Sequence, residues 1–90
     1  MTNKKITKDE KILVAMDIAK SKHVILIQWP DGKRRKQIIQ SNKQQVDEWI
    51  LFLKSLEFPC LVGFEPTGDY HRTIVYWLQQ AGIEVTSVLA

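Results

Sequence analysis

Apolar residues along this chain recur with two different spacings, and the change of spacing separates short strands from helices. Three early segments have the length of strands: Lys11 to Ile18 (KILVAMDI), His23 to Trp29 (HVILIQW) and Arg34 to Gln40 (RRKQIIQ). The first two are apolar and rich in β-branched residues, and the third is more polar, which suits the edge of a sheet. The connections between them, 19–22 and Pro30-Asp31-Gly32, have the length and turn residues of hairpin loops.

Two later segments carry apolar residues at helical spacing. The apolar face of the first is formed by Val46, Trp49, Ile50, Leu53 and Leu56, and that of the second by Tyr70, Ile74, Trp77, Leu78 and Ala81. Ser41 and Gln44 occupy the positions of a capping box before the first helix, and Pro59 ends that helix. Gly82 follows the second helix as a C-cap.

Cys60 to Phe64 and Ile83 to Leu89 read as a fourth and a fifth strand. The order β-β-β-α-β-α-β predicts an α/β fold with a mixed five-stranded sheet and helices on its faces, because hairpins join antiparallel strands and helices join parallel ones. We expect residues 1–10 to form a polar tail and residues 11–90 to form one domain. Since Ala90 directly follows an apolar strand, we expect that domain to be truncated at its C-terminus.

Composition narrows the class of protein without deciding its function. The chain has 13 Lys and Arg against 10 Asp and Glu, a formal charge of +3 that leans mildly toward polyanions. No segment reaches the roughly 18 apolar residues of a transmembrane helix, and no apolar core of a signal peptide follows the N-terminus, so we expect a cytoplasmic protein. The single cysteine, Cys60, excludes an intrachain disulfide and a cysteine-based zinc site and is interpreted as a core residue.

Two carboxylates interrupt apolar strands, Asp17 in the first and Glu65 at the end of the fourth. If these strands are parallel neighbours, both acids lie at carboxyl ends, where open α/β sheets place their sites. Two carboxylates about 4 Å apart repel by roughly 4 kcal/mol at an effective dielectric of 20, and a divalent cation between them reverses that sign. Mg²⁺ suits such a pair because it takes oxygen ligands and keeps several waters. Either acid alone is more often a solvated residue or a cap, so the hypothesis rests on the pair.

Other polar residues have simpler interpretations. Asp69 is predicted to cap the second helix, and His71 to be a surface histidine near the site. His23 begins a strand and has no partner at metal-ligand spacing. Six basic residues on the hairpins are candidates for contact with nucleic-acid phosphates, with a solvated hairpin tip as the equal alternative: Lys20, Lys22, Lys33, Arg34, Arg35 and Lys36. Trp49 and Trp77 are expected in the core.

Two segments resemble the motifs of a known family. Val14 to Ser21 (VAMDIAKS), followed by His23-Val24, resembles the first strand motif of the DEDD transposases of the Piv/MooV (IS-one-ten) insertion-sequence group. Gly63 to His71 (GFEPTGDYH) resembles their second motif, a glutamate followed closely by Thr-Gly and an aromatic residue. Leu78 to Val85 is similar to the family's next segment after that motif, so that the resemblance spans the chain from residue 11 onward.

This resemblance implies an RNase H-like (RuvC-like) domain in which four acids hold two Mg²⁺ ions. Asp17 would be the first acid and Glu65 the second, both as metal ligands and catalytic residues, while the two remaining aspartates of the family lie downstream. The implied function is DNA binding and metal-dependent cleavage or transfer of phosphodiester strands during transposition, with a guiding RNA as a further partner of the full-length protein. With two acids of four, residues 1–90 are expected to bind metal weakly, to be inactive, and to self-associate through the uncovered fifth strand.

Two other classes remain open at this point. Actin-like ATPases and sugar kinases also begin with an acid-bearing strand and a hairpin, although the turn at Ile18-Ala19-Lys20 lacks the glycine that usually cradles phosphate. A non-enzymatic nucleic-acid interaction module is the third interpretation, and it requires that the two acids be incidental. A large separation of Asp17 from Glu65 would favour it.

Overall fold

The computed structural model describes residues 10–65 and 70–87. Most of the predicted polar tail, Asp69 and the end of the predicted fifth strand lie outside the described residues. Seven elements follow in the predicted order: β1 (Ile12–Ile18), β2 (Lys22–Gln28), β3 (Arg34–Gln40), α1 (Lys43–Lys54), β4 (Cys60–Phe64), α2 (His71–Gln80) and β5 (Glu84–Ser87). Predicted and observed strand ends differ by a residue in β1 and β2, because a strand ends where its hydrogen-bonded pairing ends.

The strands form one five-stranded sheet in the order β3-β2-β1-β4-β5. The two hairpins make β1–β2 and β2–β3 antiparallel, and the two helical crossovers make β1–β4 and β4–β5 parallel. This mixed sheet, with its β-β-β-α-β-α-β order, confirms the predicted α/β class and has the arrangement of an RNase H-like fold. The first and fourth strands are parallel neighbours, which is the condition for a site shared by Asp17 and Glu65.

The sheet has one covered and one uncovered face. Along β1, buried residues such as Val14 and Met16 alternate with the exposed Leu13, Ala15 and Asp17. The buried side packs against α1 and α2, whose Leu53 and Leu78 belong to the same core. We call this side the helix face, and the side that carries Leu13, Ala15 and Asp17 the open face.

Both helices lie on one face of the sheet, a difference from the expectation of helices on its two faces. The chain passes from β3 to β4 through α1 and from β4 to β5 through α2, and both moves run in the same direction across the sheet. A right-handed crossover in the same direction places its helix on the same face. The open face is therefore left without a covering element among the described residues.

Of the two predicted helix ends, the start of α1 was predicted wrongly and the end of α2 is confirmed. The N-cap of α1 is Asn42, which accepts a hydrogen bond from the backbone N–H of Gln45 at 2.9 Å, so the capping box predicted at Ser41 and Gln44 is one residue too early. Gly82 ends α2 as predicted, with φ of 83°, and Ile83 N–H donates to the carbonyl of Leu78 at 3.0 Å. Glycine suits that position because a left-handed backbone conformation costs other residues about 1–2 kcal/mol.

The interior contains the residues that the apolar pattern indicated. Trp49 is buried, as predicted, whereas Trp77 is only partly buried and carries the Lys43 ammonium 5.3 Å from its ring centroid. Cys60 is buried, and burial raises the pKa of its thiol, which fits a core residue and not a nucleophile. In the part of the chain that the structure describes, no helix is long and apolar enough to cross a membrane.

Candidate functional site

The parallel register of β1 and β4 brings the two candidate acids to adjacent positions. Met16 pairs with Phe64, so Asp17 and Glu65 are the next residues on the two neighbouring strands. Both side chains are exposed, and both line one surface cavity of about 460 Å³. The arrangement that a shared site requires is therefore present at the carboxyl ends of β1 and β4.

Strand alternation explains why both acids are tolerated at the ends of apolar strands. Asp17 follows the buried Met16, and Glu65 follows the buried Phe64, so each carboxylate lies on the open face. There it keeps its hydration and avoids the several kcal/mol that an unpaired buried charge would cost. Ala15 and Gly63, which pair with each other two residues before the acids, are the smallest residues of the site and also line the cavity.

Two adjacent carboxylates are side chains of a kind that could hold a cation, with few protein ligands. Their oxygen atoms are the hard donors that Mg²⁺ accepts, and a site with two protein ligands leaves several coordination positions for water. Among residues 10–65 and 70–87 there is no group of three or more His, Cys, Asp or Glu side chains that could hold a metal ion. The described chain thus offers a pair of ligands at this end of the sheet.

His71 packs against Phe64, the residue before Glu65. Its ring is stacked on Phe64, with ring centroids 5.4 Å apart, and Phe64 is buried on the helix face. The residue is partly buried, and its Nδ1 is enclosed without a hydrogen-bond partner among the described residues. The prediction of a surface histidine is therefore too simple, because its stacking on Phe64 places the ring on the helix face.

The six candidate basic residues do not form one surface. Lys20 and Lys22 lie beside the loop that follows β1, at the same end of the strands as the two acids. Lys33 lies in the hairpin at the opposite end, 4.0 Å from Asp31. The six candidate basic residues are therefore divided between the two ends of the sheet.

Arg34, Arg35 and Lys36, which follow Lys33 in the sequence, are divided between the two faces of the sheet. Arg34 and Lys36 pair with Gln28 and Leu26, which lie on the open face. Arg35 points to the other side, where its guanidinium lies 5.3 Å from the ring centroid of Phe52 in α1. Successive residues of a strand point to opposite faces, so a run of four basic residues cannot make a single patch.

His23 is the polar residue whose environment the sequence pattern did not reveal. It is 2% exposed, and its Nδ1 accepts a hydrogen bond from the backbone N–H of Ala19 at 3.3 Å. Burial lowers the pKa of this imidazole below its ordinary value. The available signal was alternation, since His23 shares the parity of Ile25 and Ile27 and therefore faces the helices.

Comparison with known proteins identifies a family and a fold. The family model of the IS110-type (IS-one-ten) DEDD transposases, described as a transposase, matches residues 14–90. A comparison with curated proteins found no significant match.

Two archaeal structures share the fold at low sequence identity. The Pelota protein of Thermoplasma acidophilum is similar with a TM-score of 0.57 and 12% identity, over 89% of this chain and 28% of that one. Pelota of Archaeoglobus fulgidus is similar with a TM-score of 0.57 and 19% identity, over 91% of this chain and 27% of that one. The chain thus spans little more than a quarter of the length of these proteins, and the likeness concerns the fold alone.

Proposed function

Because this chain belongs to the DEDD transposases of the IS110 group, we propose that it forms the N-terminal part of a catalytic domain that cleaves or transfers DNA strands. The observation that carries the proposal is the adjacency of Asp17 and Glu65, which line one cavity on the open face. In this role the two carboxylates are the first two metal ligands of the site.

The two side chains fit a divalent ion, with Mg²⁺ as the proposed metal. Both are exposed carboxylates on neighbouring strands, and no lysine or arginine among the described residues lines their cavity to compete for them. When bound, divalent ions activate a nucleophilic oxygen and stabilise the charge that develops on a phosphodiester. Asp17 and Glu65 would hold such ions and orient them toward the open face, where a strand of DNA has access.

The proposed DNA contacts nearest to the acids are Lys20 and Lys22, which lie at the same end of the strands. Lys36 and Arg34 lie further along the open face, with Lys36 roughly 12 Å from Asp17 by strand spacing and rise. Loss of one lysine that contacts a phosphate lowers the salt dependence of DNA binding by about one unit of slope. A guiding RNA, as a partner of the full-length protein, would meet the same basic residues. We propose that the cleavage or transfer of DNA strands takes place in the cytoplasm.

Two carboxylates alone are expected to bind metal weakly and to leave residues 1–90 without useful nuclease activity. Mn²⁺ is a sensitive probe of such weak binding because it broadens the NMR signals of nearby nuclei. We expect Mn²⁺ to broaden the amide signals of Ala15 and Gly63 selectively, and Mg²⁺ to reverse the broadening by competition. Asp17→Asn should abolish the effect.

The matched control is Glu48→Gln, which removes one negative charge from an exposed position on α1. If Glu48→Gln reduces the broadening as much as Asp17→Asn does, binding reflects net charge and the proposed site is wrong. The inactivity of the chain has its own test with branched or supercoiled DNA. Mg²⁺-dependent cleavage by residues 1–90 that is lost in Asp17→Ala would overturn the expected inactivity.

Self-association is proposed for the isolated chain, with the open face as the contact surface. The expected contact was an apolar fifth strand, but the described part of β5 is mostly polar and exposed, whereas Leu13, Leu26 and Ile38 of the open face are each about half exposed. The β3 edge carries Arg34 and the β5 edge carries Glu84, which is paired with Lys11 at 2.8 Å, so the exposed apolar residues of the open face are the main basis for a contact with a second copy. A two-fold axis parallel to the central strand β1 would set these edges opposite each other. Asp17 and Glu65 repel their counterparts and limit the overlap at their end.

A further inference from the structure

The two acids of the candidate site are held by their strands to different extents. Asp17 lies within β1, where it pairs with a residue of β2. β4 ends at Phe64, which pairs with Met16 on one side and with Ser87 on the other. Glu65 is the next residue, and no strand pairing with the described residues reaches it. The position of Glu65 therefore depends on contacts other than strand pairing.

One such contact lies directly before Glu65, on the helix face. The ring of His71, the first residue of α2, is stacked on the ring of Phe64 with an angle of 26° between the two ring planes. The centroid distance of 5.4 Å is in the range that aromatic pairs prefer. Phe64 belongs to the core, so α2 brings the chain that left β4 at Glu65 back onto a buried residue of that strand.

The stack also links the beginning of α2 to the sheet. Tyr70, the N-cap residue of this helix, makes no capping hydrogen bond with its side chain, so packing has a larger share in deciding where the helix begins. The Nδ1 atom of His71 is enclosed and has no hydrogen-bond partner among the described residues. The observed contact of this side chain is therefore made by the face of its ring and not by that nitrogen.

The backbone transmits the position of Phe64 to Glu65. One planar peptide bond joins the two residues, and successive side chains of a strand point to opposite faces of the sheet. A Phe64 ring held on the helix face thus directs the Glu65 carboxylate to the open face. Functional groups of a site need to be held within about 0.5 Å of their productive positions. His71 does not line the cavity of the two acids, so its influence on the site passes through Phe64.

We propose that His71 is a positioning residue for Glu65. Its ring, stacked on Phe64, holds the end of β4 so that the Glu65 carboxylate lines the same cavity as Asp17. The importance of this for metal binding rests on the proposed function, whereas the hold on the Glu65 backbone does not. Because the contact is made by the ring face, His71→Phe should retain it.

Three variants of the full chain separate this role from a general loss of stability. His71→Phe keeps an aromatic ring at the stack, and His71→Leu keeps an apolar side chain without the aromatic ring. The matched control is Trp77→Leu, which removes an aromatic ring from the same helix at a position next to Lys43 of α1. Urea unfolding of each variant measures the loss of stability, which we expect in both leucine variants.

The first readout needs no metal ion. Nitrogen-15 relaxation of the Glu65 amide gives an order parameter, which is about 0.85 for a rigid backbone and below about 0.6 for a flexible one. We expect the rigid value in the wild-type chain, in His71→Phe and in Trp77→Leu. His71→Leu should lower the order parameter toward the flexible value.

The second readout is the affinity for Mn²⁺, measured from the broadening of the Gly63 amide signal. Loss of a group that orients a metal ligand typically weakens metal binding about 10–100-fold. We expect a loss of this size in His71→Leu, and the wild-type affinity in His71→Phe and in Trp77→Leu. A role in stability alone would weaken Mn²⁺ binding equally in the two leucine variants.

The proposal is overturned if His71→Leu leaves the order parameter of Glu65 or the Mn²⁺ affinity at the wild-type value. It is equally overturned if Trp77→Leu has the same effects as His71→Leu, or if His71→Phe does. A wild-type chain without Mn²⁺ broadening would disprove the proposed metal site, and the order parameters would then decide whether His71 positions Glu65. Failure of this proposal is therefore distinguishable from failure of the proposed function.

Discussion

At the scale of single residues, the side of a strand on which a polar group lies determines its chemistry. Asp17 and His23 are on neighbouring strands at the same end of the sheet, and they lie on opposite faces. Asp17 remains hydrated and able to attract a cation, while His23 is buried and its pKa is lowered. Two polar residues at the same end of neighbouring strands therefore differ in chemistry because they lie on opposite faces of the sheet.

The lowered pKa of His23 predicts a dependence of stability on pH. Unfolded histidine has a pKa of about 6.5, so on acidification the unfolded chain takes up this proton before the folded chain does. The free energy of unfolding should therefore fall as the pH is lowered from about 6.5 toward the folded-state pKa.

Urea unfolding of His23→Leu and His71→Asn in phosphate-free buffer measures this effect. We expect His23→Leu to lose the part of the pH dependence below about 6.5, and His71→Asn to keep it. An identical pH dependence in wild type and His23→Leu would contradict the prediction. The predicted pH dependence arises from the burial of His23. The comparison of the two variants with wild type separates the contribution of this imidazole from that of the carboxylates, which titrate at lower pH.

At the scale of elements, local signals specify the type of each element better than its ends. The helical spacing from Val46 to Leu53 and the Gly82 stop were sufficient to predict α1 and the end of α2. The cap of α1 was not, because Ser41 and Asn42 are both good N-cap residues and the sequence does not show which of them accepts the capping hydrogen bond. Asn42 accepts it, with φ of −134° and ψ of 156°.

Substitution of the cap residues tests this assignment. Asn42→Ala should lower the free energy of unfolding by about 1 kcal/mol, since it removes the acceptor of Gln45 N–H. Ser41→Ala should change it by less than about 0.5 kcal/mol, because exposed sites without such a role are tolerant. Asn42→Asp should retain most of the stability. Chemical denaturation of the three variants measures the differences, and a larger loss in Ser41→Ala than in Asn42→Ala would reverse the assignment.

At the scale of the whole molecule, the open face is the main apolar surface that the described elements leave uncovered. Leu13 and Leu26 are each 48% exposed and Ile38 is 52% exposed, on three adjacent strands of one sheet. Apolar side chains that are contiguous in this way tend to be buried by association. The two helices cannot cover them because both crossovers run in the same direction.

The proposed self-association predicts a difference between two kinds of leucine substitution. Leu26→Ser, on the open face, should weaken association of the chain in sedimentation experiments at least tenfold, by removing an apolar contact of about 1.5–3 kcal/mol. Leu51→Ser is the matched control, since Leu51 is 68% exposed on α1 and lies away from the open face. A wild-type chain that stays monomeric at all concentrations, or equal effects of the two variants, would exclude the open face as the contact.

The sequence by itself determined the order and type of the elements and the two acids at the ends of β1 and β4, whereas the pairing of these two strands came from the structure. These features depend on spacing, turn residues and crossover rules, which are local or nearly so. Only the tertiary structure decided which face of the sheet the helices leave open, because Leu13 and Ala15 put apolar residues on the side of Asp17 as well. For the same reason it was the tertiary structure that placed both helices on one side, divided the basic run from Lys33 to Lys36, and buried His23 beside a polar cavity. Burial is a property of the elements that pack against a residue from distant parts of the chain.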